Sequence, residues 1–128
     1  MSVDVSCDIN KLPENLEAIA DEIKVWNTAL SDAEKALLEA KLNEDVTVAR
    51  VSLMIRQNPL DYGMAKPTED GIKQTTVVQP EVVQAAKDYI EAKVEHSRIR
   101  AIVEALDAKR STLKYQSQLV EAGFIRMA

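Results

Sequence analysis

Two long stretches with apolar residues at steps of three and four, each opened by a proline, leave the chain little choice but paired helices. In the first, Pro13 suits an opening turn, and Glu14 and Glu17 complement the positive end of a helix. Leu16, Ile19, Ile23, Trp26, Leu30, Ala33 and Leu37 then follow the period of an amphipathic helix. The pattern runs on through Leu42, Val46, Ala49, Leu53 and Ile55, with a kink expected near Asn43, and Pro59 ends it. In the second, Pro80 and Glu81 open a stripe of Val83, Ala86, Ile90, Val94, Ile99, Ile102, Leu106, Leu113 and Val120. At 1.5 Å per residue the second helix would be roughly 60 Å long. Gly123 is placed to end it, with Phe124 folding back as the apolar contact.

The spacing therefore predicts an all-α fold: a long antiparallel helical hairpin with an irregular connector, assembling into a homo-oligomer. Residues 1–12 read as an N-terminal arm, with Val3, Val5, Cys7 and Ile9 at alternate positions. Residues 13–128 read as a single helical domain, with helices over about 13–58 and 80–122. In the connector, 59–80, Thr68 is a candidate cap for a short helix with Glu69 and Asp70 in its first turn. The β-branched "TTVV" that follows fits an extended segment equally well. Only 4% of the residues are aromatic, so the core must be built from Leu, Ile, Val and Ala. Each helix of a hairpin has one neighbour, which should leave Val48, Val51, Ile55, Val103 and Val120 partly wet. Self-association is the usual remedy. Trp26, Leu30, Ile102, Leu106 and Leu113 are the seam residues expected at an oligomer interface.

Chemistry-bearing patterns are scarce. The single histidine, His96, lies between Glu95 and Ser97. Adjacent residues on a helix point about 100° apart, so these three cannot build a nucleophile–base pair. Glycine loops for phosphate, zinc spacings and acidic metal clusters do not occur, so no cofactor and no enzymatic activity are expected. The lone Cys7 fits a reducing compartment. Without a basic region followed by an apolar run, or about 20 consecutive apolar residues, no membrane association is expected and the protein reads as cytoplasmic.

Charge is distributed unevenly. Residues 1–49 hold four lysines against eleven acids, a net of −7, whereas residues 50–128 hold twelve basic residues against ten acids, a net of +2. In "ALDAKRSTLK" the basic residues Lys109, Arg110 and Lys114 are followed by no acid until Glu121. In helical projection from Leu106, Arg110 falls about 40° away, Lys109 about 60° to the other side and Lys114 about 80°. They therefore border the apolar stripe. One reading is structural, with long stems covering the seam and heads reaching water. The other is a basic strip that tracks phosphates, joined by Arg50, Arg56, Lys66 and Lys73. Trp26 lies on the apolar stripe, so Tyr62, Tyr89 and Tyr115 are better placed to stack on bases.

The order of these features resembles the phage UvsY-type recombination mediators. A tryptophan-bearing helix leads into "LSDAEKALLEAKL", then "VARV", the connector "KPTEDGIKQTTVV", the helix start "PEVVQA" and finally "ALDAKRSTLK", over roughly residues 24–122. The resemblance implies a ring-like homo-oligomer of six or seven subunits that binds single-stranded DNA. Such a protein assists the loading of a RecA-like recombinase onto strands coated with single-strand-binding protein, in the host cytoplasm if phage-encoded. The family's Lys-x-Arg pair corresponds to Val48-Ala49-Arg50, which keeps only the arginine, whereas Lys109 and Arg110 fall in the well-matched region. The rival reading, supported by a sequence pI of 4.9, is a structural or adaptor oligomer, such as a phage assembly or scaffold component, that binds no DNA.

Overall fold

A computed structural model describes residues 12–123, and within them the chain is all-helical. Helix α1 spans Leu12–Gln57, α2 spans Glu69–Val77 and α3 spans Pro80–Glu121, with a short 3-10 turn at Pro59–Tyr62. The arm reading for residues 1–12 falls, but for Leu12, outside the described residues, as does Phe124. Leu12 itself begins α1.

The helix ends follow from local chemistry. Glu14 and Arg56 sit in the first and last turns of α1, each opposing the partial charge of its end. Helical structure passes Asn43 without interruption. Beyond Pro59, Gly63 adopts the left-handed conformation at φ 77°, and its N–H donates to Leu60 O. Thr68 caps α2 from an extended backbone: its Oγ1 accepts from the Gly71 N–H at 3.1 Å, while Glu69 and Asp70 occupy the first turn. A Cβ on Gly71 would lie 2.9 Å from that same Oγ1, so the cap closes over a residue without a side chain. The "TTVV" segment is helical through Val77, which decides between the two readings of the connector. At the far end of α3, Gly123 is left-handed at φ 82° and donates to Val120 O at 3.1 Å, as its position predicted.

The chain forms two compact units. Unit 1 takes in the residues up to Ala33 and those from His96 onward; unit 2 is Glu34–Glu95. The core of unit 1 is Leu12, Ile19, Ile23, Leu106 and Leu113, with Leu16, Trp26, Ile102 and Val120 packed against it. It pairs the opening turns of α1 with the closing turns of α3.

Unit 2 is built differently, because its connector supplies a third helix. Val51, Ile55, Ile72 and Val82 form its core, drawing on α1, α2 and α3. Val51 and Ile55, expected to stay wet, are 2% and 0% exposed because Ile72 of α2 covers them. Thr76 is also buried, and its hydroxyl is satisfied by donating to Ile72 O at 2.6 Å. Val103, in unit 1, is buried as well, on a seam broader than one narrow stripe. Val48 and Val120 remain half-buried, as expected of them.

Two substitutions test this assignment of interior and surface. Leu106→Ala should lower stability by about 2–5 kcal/mol in chemical denaturation, because Leu106 has no exposed surface. Leu42→Ala, at a position 64% exposed, should stay within about 0.5 kcal/mol of the parent when measured below any assembly threshold. Equal costs would show that these residues are not the core and surface they are drawn as.

Candidate nucleic-acid interface

The basic residues singled out in the sequence fall into two groups, one in each unit. In unit 1, the inner face of α3 is fixed by Leu106 and Leu113, both 0% exposed. Burying those two side chains sets the rotation of the helix, and the rotation sets where its cations emerge. Lys109 is half-buried on one border of the seam, while Arg110 and Lys114 are exposed on the other. None of the three makes an ion pair or hydrogen bond with another described residue. Glu104, a nearby acid that could have neutralised them, is instead engaged by Arg100 one turn earlier at 3.3 Å. Tyr115 stands beside Lys114 in sequence and is 61% exposed. Unit 1 thus holds three cations at the edge of an apolar seam that pair with no acid among the described residues.

In unit 2 two of the four cations are occupied within the chain. Arg56 makes a two-pronged contact with Glu69, Nη1 to Oε1 at 2.7 Å and Nη2 to Oε2 at 2.6 Å, tying the end of α1 to the first turn of α2. Arg50 reaches Glu81 at 3.4 Å, linking α1 to the first turn of α3. These pairs hold the corner of the unit, and a phosphate would have to compete with a carboxylate for either guanidinium. Lys66 and Lys73 are both exposed. Lys73 borders a small cavity of about 190 Å³ with Val48, Ser52, Thr76 and Val77.

The expected oligomer residues are all in unit 1. Trp26 and Ile102 pack against its core, Leu30 is half-buried, and Leu106 and Leu113 lie inside it, in contact with their own chain. Sequence reasoning missed one cluster: the Tyr89 ring has Lys41 Nζ 5.1 Å and Lys93 Nζ 5.2 Å from its centroid. The Tyr89–Lys93 spacing of four was legible on a helix, but the approach of Lys41 from α1 needs the tertiary fold. Lys41 also bridges Glu44 at 3.5 Å and Asp45 at 3.2 Å. A hydrogen bond to Asp45, followed by its charge, raises the Lys41 pKa. Among the described residues no group of acids, histidines and cysteines is arranged to hold a metal ion. Nor is any described helix long and apolar enough to cross a membrane.

The fork between Arg56 and Glu69 has a pH signature. Hydrogen bonding by Arg56, and then its charge, lowers the Glu69 pKa from the usual glutamate value. A lowered folded-state pKa stabilises at pH above the unfolded-state value of about 4.3 and is lost as pH falls through the folded-state value. Both side chains are largely exposed, at 45% and 70%, so solvent screens the pair and its effect is local. Protection of the Gly71 and Ile72 amides from hydrogen exchange, relative to their intrinsic rates at each pH, should fall as pH drops below the ordinary glutamate range. Glu69→Gln should remove that acid-side step; an unchanged profile would show that the fork does not hold α2.

No protein family, no curated protein and no solved structure matches this chain.

Proposed function

We propose that this protein is a non-enzymatic binder of single-stranded DNA that acts as a homo-oligomer of helical hairpins. In that role it mediates recombination, helping a RecA-like recombinase replace single-strand-binding protein. The observation that carries the reading is the set of Lys109, Arg110 and Lys114, three cations within six residues of α3 that make no ion pair among the described residues. Cations left without internal partners are free to release counterions on meeting a phosphate backbone, which is the main source of affinity in such binding. Their place on one packed helix fixes Lys109 on one border of the seam and Arg110 and Lys114 on the other, contacts for phosphates with little means of reading bases. The mediator role itself rests on the ordered resemblance described above.

In this reading Lys109, Arg110 and Lys114 supply the main contacts, and Lys66 and Lys73 are additional ones. Arg50 and Arg56 contribute only after exchanging their carboxylate partners. Binding organises the strand along the oligomer and lowers the cost of replacing one coating protein by another. Exposed Tyr115 is the aromatic best placed to stack on a base in unit 1.

Two observations favour the rival class, a structural or adaptor oligomer. The chain is acidic, with a net charge of −5, and unit 2 exposes many apolar side chains. Fluorescence anisotropy with a labelled oligothymidylate, at low and moderate salt, separates the two classes. The DNA reading expects binding that weakens steeply with salt. Replacing both Lys109 and Arg110 by Ala should reduce affinity at low salt and flatten the log–log salt slope by about 1.4, near 0.7 per lost contact. Absence of salt-dependent binding at micromolar protein would leave the structural class standing.

A further inference from the structure

Arg56, in the last turn of α1, has its guanidinium fork already filled. Both prongs hold Glu69, at 2.7 and 2.6 Å, and a planar fork of this kind takes a phosphate in the same two-pronged way as a carboxylate. The two side chains are 45% and 70% exposed. A competing anion can therefore reach the pair directly, and Glu69 can swing away without uncovering the core. An exposed pair of this kind resists exchange by a factor of about five at most.

Glu69 also has a second partner in reach. Lys73 lies four residues on in α2, the acid-first spacing that favours an ion pair on a helix, and it makes no ion pair among the described residues. Its charge already helps to lower the Glu69 pKa, behind the hydrogen bond and charge of Arg56. Glu69 stays in the first turn of α2 with either partner, so its attraction to the helix N-terminus is kept. The Thr68 cap and the packing of Ile72 keep α2 seated while the fork opens. Arg50 lacks this arrangement: it meets Glu81 at 3.4 Å, and the residue four beyond that acid is Ala85.

We propose that Arg56 is a masked phosphate site with Glu69 as its resident anion: a backbone phosphate of the strand takes the guanidinium as Glu69 passes to Lys73. The proposal rests on the DNA reading above and names how unit 2 joins it. Charge pairing is conserved through the exchange. Before it, Arg56 holds Glu69 and Lys73 stands open; after it, Arg56 holds the phosphate and Lys73 holds Glu69. No buried group is displaced, and Lys73 serves the strand through Glu69.

The test uses the full chain and sets Glu69→Gln against Asp70→Asn. Asp70 is in the same turn and makes no ion pair among the described residues, so its substitution changes the net charge equally but frees no guanidinium. In oligothymidylate anisotropy at low salt, Glu69→Gln should bind about two- to fivefold tighter than Asp70→Asn. Adding Arg56→Gln to Glu69→Gln should bring affinity back to no more than that of the parent. Lys73→Gln should cost more affinity in the parent than in Glu69→Gln, where no carboxylate is left to pass on. Far-UV circular dichroism checks folding. If Glu69→Gln loses helix, Glu69→Asp takes its place, keeping the charge while shortening the reach, and should bind tighter than the parent. Equal affinities of Glu69→Gln and Asp70→Asn, or an advantage that survives Arg56→Gln, would overturn the proposal. So would equal losses from Lys73→Gln in both backgrounds, which would make Lys73 an ordinary contact. Pyrophosphate, followed by NMR at the Arg56 Nε–H, separates this site from the DNA reading. Suppose the parent leaves oligothymidylate unbound, while pyrophosphate shifts that resonance at lower concentration in Glu69→Gln than in Asp70→Asn. That result sinks only the DNA role. Strand binding with no difference between those two variants sinks only the masked site.

Discussion

The rotation of α3 about its own axis is the constraint on which the candidate interface depends. Leu106 and Leu113, seven residues and close to two turns apart, have no exposed surface, so both are locked face-inward. Every other side chain in that stretch goes where the lock sends it. Lys109 and Arg110 are carried to the two borders of the seam, and Lys114 follows Arg110. Their position is thus a by-product of core packing, which makes it rigid: a cation can leave the border only by rotating two leucines out of the core. A site built on a packed helix holds its geometry better than one on a loop.

Unit 2 shows how an aromatic-poor chain buries a helix that one neighbour cannot cover. The segment between the long helices folds back as α2, and Ile72 closes over Val51 and Ile55. The cap at Thr68 and the fork between Arg56 and Glu69 fix where α2 starts. A side-chain oxygen satisfies an N–H of the first turn there, and a carboxylate in that turn meets a guanidinium from the end of α1. Two of the unit's cations therefore serve the fold, and the unpaired ones of unit 1 carry the weight of the DNA reading.

The helices themselves were legible in the sequence, because steps of three and four over tens of residues admit little else and prolines mark the boundaries. The Thr68 cap and the Gly123 terminus were legible for the same reason: each is a local rule satisfied within four residues. What the sequence did not disclose was tertiary. Periodicity gives the direction of an apolar face and not what lies against it, so Val51 and Ile55 read as wet until α2 is seen above them. The fork of Arg56 with Glu69, thirteen residues apart, and the approach of Lys41 to Tyr89 are equally invisible to spacing. The borders occupied by Lys109 and Arg110 were predicted by projection, since they depend on one helix alone.

The central claim is that the closing turns of α3 contact single-stranded DNA. Hydrogen-exchange mass spectrometry of the full chain, with and without an oligothymidylate at low salt, tests it most directly. Protection that appears on DNA addition in peptides spanning Lys109–Lys114, and disappears at high salt, is the result this account predicts. Protection confined to unit 2, or no change anywhere while the strand is bound, would contradict it.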